Sequence, residues 1–204
     1  KDLVRTISVS GFDKEHRIMK SGIAELQRGI CGMLGVSPVL SEDTNSGIVI
    51  RKDDTVKKQG YALKGSRAGI VLRASDENGV LYGIFHILRE ISTQQSLYQT
   101  DIICEPDNPL RMFNHWDNMD NSIERGYSGE SFFFENGEII ISDRIRDYAR
   151  LVASVGINGV VINNVNVKEH ATWLITERYF KKVAQLSEIF ADYGIKLFLS
   201  LNYA

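Results

Sequence analysis

Residues 156–164, GINGVVINN, and residues 194–202, GIKLFLSLN, decide the fold of the second half of this 204-residue chain. Each stretch begins with glycine and isoleucine, continues through a run of apolar residues and reaches an asparagine. The two glycines lie 38 residues apart. Continuous apolar strands of this kind are buried on both faces, as they are in parallel sheets. The repeat therefore predicts β/α units of a parallel barrel or of a doubly wound sheet.

An amphipathic helix precedes each apolar run, over residues 143–155 and 176–193. Apolar side chains recur at intervals of three and four residues in both, as on the buried face of a helix. The side chains predicted to face the core are Ile145, Tyr148, Ala149, Val152 and Val155 in the first helix and Phe180, Val183, Ala184, Ser187, Phe190 and Tyr193 in the second. Gly156 and Gly194 stand where a helix commonly ends on a left-handed residue.

Residues 1–108 are predicted to form a separate domain, because the composition changes at the proline-containing residues 106–109. Alternation and helical periodicity predict the element order β-α-β-β-β-α-β. These elements cover residues 3–10, 14–34, 47–51, 61–64, 69–74, 76–92 and 97–104. We expect an α+β sandwich in which the helices cover a mostly antiparallel sheet. Gly79 and Gly83 would let the second helix approach that sheet closely.

Composition and charge exclude several classes of partner. The apolar content of 43% and the charged content of 25% are typical of a globular protein. The formal net charge of −2 and the lack of a basic run predict no nucleic-acid partner. The apolar runs are too short to span a bilayer, so no membrane partner is expected. The cysteine and histidine spacings match no metal site, and we predict no metal and no cofactor.

Polar residues follow each strand predicted in the second half. The first cluster lies in residues 111–131, RMFNHWDNMDNSIERGYSGES, and the others are at residues 163–166 and 200–203. The carboxyl ends of the strands carry the active site in β/α barrels. A tryptophan beside carboxylates and amides offers a flat apolar face for a sugar ring and hydrogen-bonding groups for its hydroxyls. The alternative for residues 111–131 is a long surface loop with an anchoring tryptophan.

Several strings in the chain resemble the α-glucuronidases of glycoside hydrolase family 67. They are NHWDN at 114–118, SIERGY at 122–127, DYARL at 147–151, GING at 156–159, NNVNV at 163–167 and YGIK at 193–196. The match is almost continuous from Arg111 to Tyr203. The front domain is a looser match, because its residues 78–83, NGVLYG, look like an N-terminal domain that the family shares with some hexosaminidases.

The resemblance implies an inverting enzyme that removes glucuronic acid, or its 4-O-methyl ether, from xylose in glucuronoxylan-derived oligosaccharides. Inversion needs an acid and a base about 6.5–9.5 Å apart. The resemblance places both beyond Ala204, so we assign no catalytic residue here. Residues 109–204 would then be the first three β/α units of a truncated TIM barrel. We expect these 204 residues alone to be inactive and, because a strand edge would be exposed, to self-associate, for example as a homodimer.

The residues expected to contribute to the sugar pocket lie at the first two strand ends: His115, Trp116, Asp117, Asn164, Val165 and Asn166. Trp116 would line the uronic acid site, and Val165 would form an apolar wall beside the 4-O-methyl group. The other four would hold hydroxyls or orient their neighbours. Two further classes of function stay open: a non-catalytic carbohydrate-binding domain and a hexosaminidase-type glycosidase.

Overall fold

The computed structural model describes residues 2–44, 47–164 and 171–201. The chain divides into two compact units, Lys1–Pro109 and Leu110–Ala204. Each unit has its own sheet and its own helices, and each is described separately below. In the ranges that the structure describes, no helix combines the length and apolarity needed to cross a membrane.

The first unit contains two helices and one six-stranded sheet. Its elements are β1 (Thr6–Ser10), α1 (Arg17–Leu34), β2 (Val39–Leu40), β3 (Gly47–Lys52), β4 (Tyr61–Gly65), β5 (Gly69–Ala74), α2 (Glu77–Ser92) and β6 (Asp101–Cys104). The predicted elements are present, and β2 is an additional two-residue strand. The strands β1 and β6 and the two helices begin later than predicted, whereas β3 and β4 each extend one residue further. The 3-10 turns Asp2–Val4 and Leu97–Gln99 replace the predicted starts of the first and last strands.

The sheet of the first unit is mixed, and the prediction of a mostly antiparallel sheet is wrong. Its strand order is β2-β1-β3-β5-β4-β6. The pairs β1–β2, β1–β3 and β3–β5 are parallel, whereas β4–β5 and β4–β6 are antiparallel. The helix α1 returns the chain to the same end of the sheet after β1, and such a crossover makes the strands on its two sides parallel. The hairpin between β4 and β5 is confirmed.

Helix α2 begins at an aspartate cap and lies very close to the sheet. The Asp76 side chain accepts a hydrogen bond from the Gly79 amide at 2.8 Å, which satisfies one of the free donors of the first turn. A Cβ atom placed on Gly79 would lie 2.1 Å from the carbonyl oxygen of Gly60, and one on Gly83 would lie 2.2 Å from a methyl group of Leu72. The close approach predicted from these two glycines is confirmed.

The second unit repeats a strand–helix pattern around a three-stranded parallel sheet. Its elements are β7 (Met112–Asn114), β8 (Phe134–Glu135), β9 (Glu138–Ile139), α3 (Asp143–Ser154), β10 (Gly159–Val161), α4 (Glu177–Ala191) and β11 (Lys196–Phe198). The strand order is β7-β10-β11, with parallel pairing throughout. The short hairpin β8–β9 lies in the connection between β7 and α3. That the sheet begins a TIM barrel stays a prediction.

The helices of the second unit end just before the glycines predicted from the sequence. The buried face of α4, however, differs from the predicted one. Gly156 and Gly194 have φ angles of 79° and 68°, the left-handed conformation expected after a helix. In α4 the predicted core residue Phe180 is 54% exposed, whereas Tyr179 is buried. Ala184, also predicted to face the core, is exposed, and the residues that α4 buries are Tyr179, Leu186, Ile189 and Phe190. The stripe of this helix is therefore shifted from the predicted one, which is confirmed only at Phe190 and, beyond the end of α4, at Tyr193. In the first helix Val155 is wrong as well, because it is 60% exposed. The Tyr179 hydroxyl explains the shift, because it donates to the Gly137 carbonyl at 2.6 Å.

Candidate functional site

The three strands of the second unit end at the same edge of their sheet. Asn114 pairs with Val161, and Val161 pairs with Phe198, in an in-register parallel ladder. Because the strands are parallel and in register, the residues that follow them are brought to one edge. This pairing brings together the polar cluster that begins at residue 114, the cluster that begins at residue 163, and residues 200 and 201 of the third cluster. Residues 202 and 203 of the third cluster lie outside the described part of the chain.

Hydrogen bonds join the three strand ends beyond the regular ladder. The His115 amide donates to the Val161 carbonyl at 2.9 Å, and the Asn164 amide donates to the Asp117 carbonyl at 2.9 Å. The side chain of Asn163 contacts the backbone of Ser200 twice: its Nδ2 donates to the carbonyl at 2.8 Å, and its Oδ1 accepts from the amide at 2.9 Å. Buried amides satisfied in this way hold neighbouring loops at fixed distances.

The Asp117 carboxylate is buried directly after the first strand. Its residue is 2% exposed. Oδ2 accepts a hydrogen bond from the Ser131 hydroxyl at 2.5 Å, and Oδ1 lies 3.8 Å from Nδ1 of His115. A carboxylate held away from water is unfavourable unless polar partners compensate it. Ser131 provides that compensation.

His115 lies in an aromatic environment that connects the strand to helix α3. Its Nε2 is hydrogen-bonded to the Tyr148 hydroxyl. The His115 ring packs edge-on against Phe133 and Tyr148, with centroid distances of 5.1 and 5.2 Å, and Phe132 lies at 6.3 Å. The ring is therefore fixed by packing and by a hydrogen bond together.

Burial shifts the ionisation of this group of side chains toward the neutral forms. Desolvation lowers the pKa of His115, and the Asp117 charge opposes that shift. Desolvation also raises the pKa of Asp117, against the opposing effects of the Ser131 hydrogen bond and of His115. The pKa of Tyr148 is raised, first by burial and then by the nearby Asp117 charge. A buried neutral imidazole with one nitrogen bonded to a tyrosine is a fixed structural partner rather than an exposed base.

Trp116 stands between His115 and Asp117 and is half-buried. Its carbonyl accepts a hydrogen bond from the Glu124 amide at 2.7 Å. Trp116 follows the end of β7 by two residues. Its two neighbours face each other, since Asp117 Oδ1 lies 3.8 Å from His115 Nδ1.

The loop after Trp116 is folded on itself and bonded to the second strand end. Asn118 Nδ2 donates to the Ser122 hydroxyl at 3.0 Å and to the Glu124 carbonyl at 2.9 Å. Asn164 Nδ2 donates to Asn118 Oδ1 at 3.3 Å, which joins the loop to the end of β10. Glu124 has a φ angle of 58°, a left-handed conformation that the surrounding hydrogen bonds hold in place.

The structure brings together four of the six predicted pocket residues, His115, Trp116, Asp117 and Asn164. Val165 and Asn166 lie outside the described residues. Asp117 and Asn164 are buried with protein partners, so their direct contact with a sugar stays a prediction.

Sequence reasoning missed Ser131, Phe132, Phe133 and the role of Tyr148. Tyr148 was read only as part of an apolar helical stripe. The serine directly before three phenylalanines was a readable signal, because a serine before a turn commonly bonds the amides that follow it. In the part of the chain that the structure describes, no group of three or more histidine, cysteine or acidic side chains could hold a metal ion.

Solved structures share the α/β fold of this chain. A Streptomyces plicatus N-acetyl-β-hexosaminidase superposes with a TM-score of 0.67 at 12% identity, over 98% of this chain and 42% of that one. A family GH115 4-O-methyl-α-glucuronidase superposes with a TM-score of 0.62 at 18% identity, over 94% of this chain and 28% of that one.

Sequence comparison is more specific than the fold. The glycosyl hydrolase family 67 middle domain matches residues 90–204, more than half of the chain. The chain belongs to glycosyl hydrolase family 67. It is 34% identical to a probable α-glucuronidase A of Aspergillus terreus, over 91% of this chain and 24% of that protein. It is 41% identical to a probable α-glucuronidase A of Aspergillus oryzae, over 71% of this chain and 17% of that protein. The chain thus spans about a quarter or less of the length of these relatives.

Proposed function

We propose that the whole protein is an α-glucuronidase of xylan breakdown. It would hydrolyse the α-1,2 bond between glucuronic acid, or its 4-O-methyl ether, and xylose in oligosaccharides derived from glucuronoxylan. The observation that carries the proposal is the family 67 match over residues 90–204, together with relatives named α-glucuronidases. The buried strand-end network supports it, because such a network can hold one wall of a sugar pocket rigid.

The proposed reaction inverts the anomeric configuration and takes its acid and base from outside these 204 residues. Inversion needs a carboxylic acid that protonates the leaving oxygen and a carboxylate that activates water, about 6.5–9.5 Å apart. Asp117, the carboxylate next to Trp116, fits neither role well. It is 2% exposed and one of its oxygens is bonded to Ser131, so water has little access to it.

The test is to incubate the whole protein with aldouronic acids and to follow the anomeric protons by NMR. We expect β-glucuronic acid as the first product, since an α-bond is cleaved with inversion. First appearance of the α-anomer would overturn the inverting mechanism. Turnover of β-linked N-acetylhexosamine substrates without release of glucuronic acid would favour a hexosaminidase-type enzyme instead.

These 204 residues alone should show no turnover. Their second unit has an open three-stranded sheet in its described part, and the edge strand β7 carries Met112 and Phe113 partly exposed. We expect self-association, which size-exclusion chromatography coupled to light scattering measures. Release of glucuronic acid by the purified chain would contradict this proposal. Calorimetric binding of xylo-oligosaccharides without turnover would identify a carbohydrate-binding role for the chain.

Trp116 is the residue of this chain that we propose lines the uronic acid site, with Val165 and Asn166 as further contributors and with Asn164 orienting its neighbours. In the whole protein, Trp116→Ala should raise KM about tenfold, the scale of one lost aromatic packing interaction. Trp173→Ala is the matched control, because Trp173 is the other tryptophan and lies in the short 3-10 helix Ala171–Ile175 before α4. Unchanged kinetics of the Trp116 variant would remove this residue from the pocket.

A further inference from the structure

His115 and Asp117 flank Trp116, the candidate sugar-stacking residue. Each of the two is hydrogen-bonded to a different part of the second unit. On one side, Asp117 is bonded through Oδ2 to the Ser131 hydroxyl at 2.5 Å. On the other side, His115 is bonded through Nε2 to Tyr148 of α3. Asp117 Oδ1 lies 3.8 Å from His115 Nδ1, so the two flanking side chains also face each other. Trp116 therefore sits in a segment whose neighbours are held on both sides.

Ser131 connects the Asp117 carboxylate to the point where the polar loop returns. The Ser131 hydroxyl accepts hydrogen bonds from the amides of Phe133 at 3.0 Å and Phe134 at 3.1 Å while it donates to Asp117. The Ser131 amide donates to the Asn121 carbonyl at 2.8 Å. The Ser131 hydroxyl thus joins the strand end to the following phenylalanines, and the Ser131 amide joins the same residue to the middle of the loop.

The aromatic side chains fill the space around this connection. Phe132 and Phe133 pack on each other with centroids 4.3 Å apart, and both lie within 6 Å of the Tyr148 ring centroid. Asp117 itself is 2% exposed, and a hydrogen bond formed away from water is electrostatically stronger. The aromatic packing also means that His115 cannot change its ring orientation without displacing Phe133 or Tyr148.

We propose that Asp117 is a positioning residue, which through Ser131 and His115 fixes the backbone at residue 116 and so sets the orientation of the Trp116 ring for stacking on a uronic sugar. It acts as an acceptor of defined geometry, and it does not touch the sugar. The inference rests on the proposed pocket role of Trp116. A ring that is fixed before the sugar arrives loses less conformational entropy on binding, which raises affinity.

The first experiment measures the Trp116 environment directly and does not depend on any enzyme activity. In the 204-residue chain carrying Trp173→Phe, the remaining tryptophan is Trp116. We expect Ser131→Ala and Asp117→Ala to shift its emission to the red, to lower its anisotropy and to speed its quenching by acrylamide. Asp117→Asn keeps an oxygen that accepts from Ser131, so it should resemble the unsubstituted protein.

A matched control exists in the same loop. Ser122 donates to Asp120 Oδ1 at 2.5 Å, the same kind of bond as that between Ser131 and Asp117. Asp120 is exposed, so its carboxylate is solvated whether or not the serine is present. Ser122→Ala also removes the acceptor of one hydrogen bond from Asn118 Nδ2, but Asn118 Nδ2 keeps its bond to the Glu124 carbonyl. Ser122→Ala should therefore leave the Trp116 emission, anisotropy and quenching unchanged. Equal effects of Ser122→Ala and Ser131→Ala would mean that general loosening of the loop, and not the Asp117 connection, controls Trp116.

The second experiment measures how the same substitutions change KM and kcat of the whole protein. Ser131→Ala and Asp117→Ala should raise KM for aldouronic acids about tenfold, as a misplaced aromatic ring would, and change kcat by less than about threefold. Asp117→Asn should restore KM. If Asp117→Asn abolished kcat, the carboxylate would be acting in the chemistry and the positioning role would be refuted.

The two experiments separate failure of this inference from failure of the proposed function. If the whole protein releases no glucuronic acid but the Trp116 spectrum responds to Ser131→Ala, the function is wrong and the structural connection stands. If the spectrum is unchanged in Ser131→Ala, the inference is wrong whatever the enzyme does. Should Asp117→Ala fail to fold, the milder Ser131→Ala decides the question, because it removes the connection without leaving a gap at Asp117.

Discussion

Replacing Gly79 by alanine tests the close approach of helix α2 to the backbone just before β4. A Cβ atom on Gly79 would lie 2.1 Å from the Gly60 carbonyl oxygen and 3.0 Å from the Ala74 Cβ. The first neighbour is a backbone atom, so it cannot rotate away as a side chain would. The helix would have to shift by about 1.4 Å to restore an ordinary van der Waals distance of ~3.5 Å. That shift would also pull the Gly79 amide away from the Asp76 cap.

The expected change in the free energy of unfolding has two destabilising contributions and one stabilising contribution. Overpacking of a well-filled interior costs about 1–3 kcal/mol. Loss of a cap costs about 1 kcal/mol. Alanine gains up to about 1 kcal/mol over glycine in a helix, and less in a terminal turn. The net expectation is a loss of about 2 kcal/mol, which lowers the Tm of a unit of this size by about 8–16 °C.

Gly32→Ala is the matched control for this change. Gly32 also lies in a terminal turn, of α1, but a Cβ atom there would meet nothing within 4 Å. It should therefore gain up to about 1 kcal/mol from helix propensity alone. Urea unfolding followed by far-ultraviolet circular dichroism is the suitable assay, because both tryptophans lie in the second unit and report on that unit. If Gly79→Ala were as stable as Gly32→Ala, the close approach of α2 would be refuted.

The remaining predictions concern the strand ends. Asn163→Ala should destabilise the second unit by about 2–3 kcal/mol in tryptophan-monitored urea unfolding, because it removes two hydrogen bonds to Ser200 and leaves that backbone unpaired. Tyr148→Phe should cost about 1 kcal/mol by losing the bond to His115, whereas Tyr127→Phe, at a residue that is 73% exposed, should change stability by less than about 0.5 kcal/mol. Burial lowers the folded pKa of His115, so its contribution is present above the unfolded value of about 6.5 and is lost as pH falls below it. His115→Gln should make the unfolding midpoint less dependent on pH between about 7.5 and 5.5, and an unchanged slope would contradict this assignment.

Local sequence signals were enough to predict the longer elements, the β4–β5 hairpin and the parallel strands of the second unit, but not the direction of the other strand pairs in the first unit. Gly156 and Gly194 are each required by a left-handed backbone, so the helix ends could be read directly. The parallel pairing of β1 with β3 could not, because the residues that pair are about 40 positions apart and the intervening helix decides the direction. Tyr179 was placed outside the core for a similar reason: its hydroxyl is buried against a carbonyl 42 positions away, on a hairpin that showed no periodic pattern.

The same distinction applies to the candidate site. The cluster around Trp116 was visible because the polar residues are adjacent in the chain and follow a strand. Ser131 was not, since its bond to Asp117 joins residues 14 positions apart across an irregular loop. The residue types at a strand end thus predict that a site exists, but tertiary hydrogen bonds decide which of them remain available to a ligand.

Burial divides the strand-end residues into two groups with different uses. Asp117, Asn163 and Asn164 are buried, and each has a protein hydrogen-bond partner. Removing such a group from its partner in order to bind a sugar hydroxyl would cost about as much as the new bond gains. Trp116 is half-buried, and none of the hydrogen bonds among the described residues that hold the strand ends uses its side chain. The polar residues are therefore best suited to hold the loop rigid, and the tryptophan between them is best suited to meet the substrate.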